Sequence, residues 1–159
     1  MSLVAFTTRN ILTIVSPNRP GFRVDQISDR ANNDLPLLPN LVLINAGTND
    51  VAQGYELDTI DQRLEDLVNK LLDGIPGTTV IVSTLLVNRN TTKQASNQIV
   101  NLKYVSTVES MAAAGKRVYL ADMSSITTDM INARDGTHPT DCKPIKNPRK
   151  CTSILKETF

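Results

Sequence analysis

The sequence predicts an α/β fold built on a parallel sheet, and three segments carry that prediction. Asn40 to Asn45 is a short continuous apolar run closed by Ala46-Gly47, which suits a strand buried on both faces. From Asp58 the period changes. Ile60, Leu64, Leu67, Val68, Leu71 and Leu72 recur at three- and four-residue spacing, giving an amphipathic helix with Asp58 as N-cap and Gly74 just past its end. Thr78 to Thr84 then restores a β-branched run after the turn residues Ile75-Pro76-Gly77. Strand, helix and strand in that order form a crossover unit whose two strands run parallel.

The second half repeats the alternation. A helix is expected from about Lys93 to Ala114, carrying Ile99, Leu102, Val105, Val108 and Ala112 and stopped by Gly115, followed by a strand from Arg117 to Ala121. Ser124 to Ile131 can form one or two helical turns that deliver the chain to Asp135. Near the N-terminus Leu3-Val4-Ala5-Phe6 and Ile11 to Val15 compete as strands. No period suggests an internal repeat.

Composition narrows the class. The chain has 159 residues, 40% hydrophobic and 21% charged, which suits a single globular domain. A formal charge of +1 gives no concentrated basic surface, so nucleic acid is not an expected partner. No apolar run approaches the roughly 20 residues needed to cross a bilayer. Met1 to Phe6 leads into polar Thr7, Thr8, Arg9 and Asn10, so no signal peptide is read here. The domain is expected over 1–141. Residues 142–159 read as a divergent, flexible tail, with Lys143, Lys146, Arg149, Lys150 and Lys156 and with Pro144 and Pro148 against any helix.

Cys142 and Cys151 can close a small loop or remain free thiols, and both readings stay open. A structural zinc needs about four ligands, which one histidine and two cysteines do not supply. Asn90-Thr91-Thr92 fits the glycosylation acceptor pattern. With no Gly-x-Gly-x-x-Gly or Walker-type loop, a nucleotide-binding reading has little behind it.

Two constellations carry chemistry. Gly47-Thr48-Asn49-Asp50 directly follows the strand read over Asn40 to Asn45, and ligands of open parallel sheets bind beyond the carboxyl ends of strands. Glycine there permits close backbone approach, and the Asn49 amide can donate to a developing oxyanion. The same tetrapeptide is also good turn chemistry. Far downstream, the single histidine lies in Asp135-Gly136-Thr137-His138-Pro139. That spacing lets Asp135 reach the ring, fix its tautomer and stabilise the imidazolium that forms when it takes a proton.

Together these residues resemble the SGNH, or GDSL-type, hydrolases: Gly47 to Asp50 is similar to their third sequence block and Asp135-x-x-His138 to their fifth. Pro20-Gly21-Phe22-Arg23-Val24-Asp25-Gln26-Ile27 is similar to the second block of carbohydrate-esterase-like members. The resemblance covers roughly Leu3 to Asp141. It implies a flavodoxin-like three-layer sandwich around a central parallel sheet, and ester hydrolysis without a cofactor or metal. His138 would be the general base, Asp135 its orienting carboxylate, and Asn49 and the Gly21 backbone N–H the oxyanion hole. Arg23, Asp25 and Asp50 read as structural residues of helix starts and loops. The implied partner is a small-molecule or carbohydrate ester, and the protein is expected to be a monomer. Relatives of this branch are often secreted.

The family's first block, Gly-Asp-Ser, does not occur. Only Ser2 and Ser16 precede the glycine block, and neither has the context of a nucleophile: Ser16-Pro17 has no helix behind it to present an N-terminal N–H. If Leu3 to Phe6 corresponds to the family's second strand, the chain lacks the first strand and its serine loop. Similarity also ends abruptly at Cys142, so a truncated gene model or an unusual variant is expected. Two classes follow. One is a serine esterase of short acyl (acetyl) esters whose nucleophile lies outside this chain. The other is a non-catalytic relic that still binds ester or glycan.

Overall fold

The computed structural model describes residues 11–14 and 21–140. Four parallel strands form its sheet: β1 (Ile11–Ile14), β2 (Leu41–Ile44), β3 (Thr79–Ser83) and β4 (Val118–Ala121). They lie in sequential order, with Ile11 opposite Leu41, Leu41 opposite Thr79 and Val80 opposite Val118. Within one of the two competing N-terminal segments, Ile11–Ile14 forms a strand. Leu3 to Phe6 lies outside the described residues, as do Ser2, Ser16, Cys142, Cys151 and the tail.

Helices α1 (Val24–Ala31), α2 (Thr48–Gln53), α3 (Ile60–Gly74) and α4 (Thr91–Ala113) fill the connections. Right-handed crossovers between sequential neighbours place successive helices on the same side of the sheet. Accordingly α1 packs on α3 and α3 on α4. Val42, Ile44, Val80, Val82 and Val118 point to that layer and are buried with Ile60, Leu64, Leu67, Val68 and Leu71 of α3. On the opposite pleat Leu43 and Ile81 are half-buried and Tyr119 is exposed. The second helical layer of a three-layer sandwich is not represented among the described residues.

Several element boundaries differ from expectation for identifiable reasons. Leu57–Thr59 forms a 3-10 turn ahead of α3, so the residue before that helix is Thr59 rather than Asp58, and Gly74 is its last residue rather than the one beyond. Helix α4 starts at Thr91 because the Asn90 side chain caps it, accepting from the Lys93 N–H at 3.0 Å. Its core face is Asn97, Val100, Tyr104, Val108 and Met111, whereas Ile99 and Leu102 face outward, Leu102 at 73% exposure. Asn97 is tolerated inside because its amide donates to the Leu86 carbonyl at 2.8 Å. Between Ser124 and Ile131 only Thr128–Met130 is helical, as a single 3-10 turn.

Candidate active site

The carboxyl end of β2 leads through Asn45 and Ala46 into Gly47, which has φ +109° and opens α2. Glycine is required here twice over. That φ disfavours L side chains, and a Cβ would fall 2.5 Å from the Tyr104 hydroxyl. Tyr104 is fully buried, and its O–H donates to the Ala46 carbonyl at 3.2 Å, tying α4 to the end of the strand. Burial holds its phenol far above the usual range.

Helix α2 faces the Gly21 segment. Asn49 Nδ2 donates to the Phe22 carbonyl at 2.9 Å, and Gln53 Nε2 donates to the Gly21 carbonyl at 3.0 Å. Asp50 Oδ2 accepts from the Val24 N–H at 3.1 Å, satisfying an orphan donor in the first turn of α1. The two expected oxyanion residues, Asn49 and Gly21, are thus brought together. An amide nitrogen carries two hydrogens, so the bond to Phe22 leaves Asn49 a second donor.

Asp50 is wholly buried and pairs with Arg63 Nη1 at 2.5 Å. Burial raises its carboxyl pKa, with the Arg63 guanidinium opposing that shift. Arg63 Nη2 donates to the carbonyls of Tyr55 and Glu56, at 3.2 and 2.9 Å. Arg23 makes a two-point ion pair with Asp25 at 3.2 and 3.1 Å. Both guanidiniums lie over the Tyr55 ring, at 4.0 Å for Arg23 and 5.1 Å for Arg63. Arg23, Asp25 and Asp50 thus all make hydrogen bonds at the start of α1 or between α2 and α3. Gln53, Tyr55 and Arg63 were missed because none lies in a recognisable block; a polar residue one turn after Asn49 on the same helix was the available signal for Gln53.

The Asp135–His138 pair lies in a tight turn beyond β4. Asp135 Oδ1 accepts from the N–H groups of Thr137 (2.8 Å) and His138 (2.9 Å), and Oδ2 lies 3.2 Å from His138 Nδ1. The backbone N–H of His138, then that of Thr137, holds the Asp135 carboxyl below its ordinary pKa, and the His138 ring adds to this. An ionised carboxylate can only accept, so this contact is a hydrogen bond from Nδ1–H to Asp135. His138 is 77% exposed, so the ring is open to an incoming group.

Loop β3–α4 braces this turn. Arg89 N–H donates to the Gly136 carbonyl at 2.9 Å, and Arg89 Nη1 donates to the carbonyls of Thr128 (2.6 Å) and Ile131 (3.1 Å). Asn88 Nδ2 reaches Thr137 Oγ1 at 3.2 Å. Asn132 N–H donates to the His138 carbonyl at 2.8 Å, beside the antiparallel bridge from Ile131 to Pro139. Among the described residues no group of three or more His, Cys, Asp or Glu side chains could hold a metal ion, and no helix is long and apolar enough to cross a membrane.

A four-stranded parallel sheet with helical crossovers, a glycine loop after β2 and an Asp–His turn beyond β4 define an α/β class of architecture. Within it the chain belongs to the GDSL-like lipase/acylhydrolase family, which matches residues 8–142. It is 28% identical over 104 residues to a multidomain esterase of Ruminococcus flavefaciens, a match covering 64% of this chain and 13% of that protein. Among solved structures it resembles a Clostridium thermocellum family 3 carbohydrate esterase, with a TM-score of 0.67 and 24% identity over 87% of this chain and 65% of that one. An acetyl esterase bearing a serine-to-alanine substitution, with an acetate ion, is similar at a TM-score of 0.66 and 24% identity, again over 87% and 65%. The chain thus spans about two thirds of the solved chains it matches and a small part of the multidomain protein.

Proposed function

We propose that this chain carries the base and oxyanion-binding parts of an ester-hydrolysing site for short acyl esters, acetyl esters foremost, including those of carbohydrates. The observation that carries the reading is the Asp135–His138 pair at 3.2 Å, with the carboxylate held by two backbone N–H groups. His138 Nε2 takes the proton of the attacking hydroxyl and returns it to the leaving alcohol, while Asp135 holds the ring and stabilises the imidazolium. The second N–H of Asn49 and the Gly21 N–H bind the oxygen on which negative charge develops. The carbohydrate and acetyl esterases among the similar structures support the acyl class.

The attacking hydroxyl is assigned to no serine of this chain, because Gly-Asp-Ser is absent from all 159 residues. That absence favours a second reading, a non-catalytic domain that binds acylated ligands at the same place. With the nucleophile outside this chain, the esterase reading predicts hydrolysis of p-nitrophenyl acetate only when a serine-bearing segment is joined to it, whereas the binder reading predicts none in either form. Turnover that disappears in His138→Ala supports the esterase. No turnover, combined with a rise in melting temperature on adding an acetylated sugar, supports the binder. Neither response overturns both.

A further inference from the structure

We propose that Gln53 is a positioning residue for the oxyanion donors, fixing the Gly21 carbonyl and the Gly21–Phe22 loop against the helix that carries Asn49. The inference rests on reading Asn49 and Gly21 as those donors. Helix α2 grips one short stretch of chain three times, through Asn49 to the Phe22 carbonyl, Asp50 to the Val24 N–H, and Gln53 to the Gly21 carbonyl. The first two contacts hold the distal part of the loop. Among the described residues only the third reaches the glycine itself.

Gly21 is exposed with φ +84°, and among the described residues no atom outside its immediate chain neighbours lies within 4 Å of where a Cβ would stand. Among the described residues the Gln53 amide holds its carbonyl. The direction of the Gln53 amide is also determined: Arg23 Nη1 lies 3.1 Å from Gln53 Oε1, and a guanidinium can only donate. The oxygen must face Arg23, which turns Nε2 toward the Gly21 carbonyl. Arg23 is in turn fixed by its two-point pair with Asp25 and by the Tyr55 ring. A relay from Asp25 through Arg23 and Gln53 ends on the peptide next to the donor N–H.

Gln53 is exposed, so its replacement leaves the core intact. The test compares the 15N-labelled full chain with two variants. Gln53→Glu keeps an acceptor for Arg23 but removes the donor to Gly21, and Gln53→Met removes both. In both, order parameters of the Gly21 and Phe22 amides should drop from the rigid range near about 0.85 to below about 0.6, with those of Val51 and Leu64 unchanged. Acetate should bind each variant about threefold to tenfold more weakly, the range expected for one hydrogen bond. Unchanged order at Gly21 in Gln53→Glu overturns the proposal, because the Arg23 contact alone would then suffice. If acetate fails to bind the wild-type chain, the oxyanion reading falls, and the order parameters still decide whether Gln53 sets the loop.

Discussion

Asp50 and Arg63 form an ion pair at 2.5 Å in which the carboxylate has no exposure to solvent and the guanidinium side chain retains 14%. The pair joins the helix of Asn49 to α3, and through the Val24 N–H it also fixes the start of α1. Removing one partner of a buried pair costs more than never having made it. Asp50→Ala should lower unfolding stability by about 3 kcal/mol, toward the lower end for buried pairs because Arg63 still reaches water.

Arg63→Met should behave differently with pH. Burial already raises the Asp50 pKa, and losing the guanidinium raises it further. A raised folded-state pKa gives stability that is fully present below the unfolded value and is lost as pH rises through the folded value. The deficit of Arg63→Met relative to wild type should therefore be smallest below about pH 4 and grow toward neutrality. Urea titrations across pH measure it, and a deficit independent of pH would contradict the buried-carboxylate account.

Gly47 and Tyr104 should be coupled. Gly47→Ala places a methyl 2.5 Å from the Tyr104 hydroxyl, on top of the backbone strain at φ +109°. Tyr104→Phe alone should cost about 1 kcal/mol for the lost bond to Ala46. The double variant should be more stable than the sum of the two effects by at least about 1 kcal/mol, since the clashing oxygen has gone. Strict additivity in denaturant unfolding would show that the hydroxyl is not the obstacle.

Two leucines of similar appearance in the sequence should respond in opposite ways. Leu64→Ala removes a fully buried side chain and should cost about 2–5 kcal/mol, whereas Leu102→Ala, at 73% exposure, should stay within about 0.5 kcal/mol. Melting curves of the two variants check that Leu64 of α3 is buried in the core while Leu102 of α4 faces outward.

That contrast also shows what was legible in the sequence. Helix α3 was readable with its inward face, because Ile60, Leu64, Leu67, Val68 and Leu71 keep a single apolar stripe. Helix α4 was readable as a helix but not as a face. It is apolar on more than one side, and its inward stripe includes Asn97, whose burial depends on a carbonyl of a distant loop. The site divided in the same way. Asp135 and His138 are three residues apart and turn chemistry brings them together, so spacing sufficed. Gln53, Tyr55 and Arg63 act across tertiary contacts between α2, α3 and the loop before α1, which no local pattern encodes.

Asp135 should titrate below the ordinary carboxylate range. Its pKa is lowered first by the His138 backbone N–H and then by that of Thr137, so the turn's contribution is present above the unfolded value and is lost only as pH falls through the lower folded value. Carboxyl 13C shifts should follow that midpoint. In Asp135→Asn the new amide can still accept the two backbone bonds but presents a donor to Nδ1, so the His138 proton should move to Nε2 in long-range 15N spectra. A ring that keeps its proton on Nδ1 would remove Asp135 as the orienting group.

In the proposed function the Asn49–Gly21 and Asp135–His138 pairs form one site for an acyl oxygen. The most direct measurement is a titration of the 15N-labelled chain with acetate, following the Asn49 side-chain amide, the Gly21 amide and the His138 ring. The account predicts that all three shift along one binding curve with a single dissociation constant. Shifts confined to His138, or separate constants for the two pairs, would contradict it.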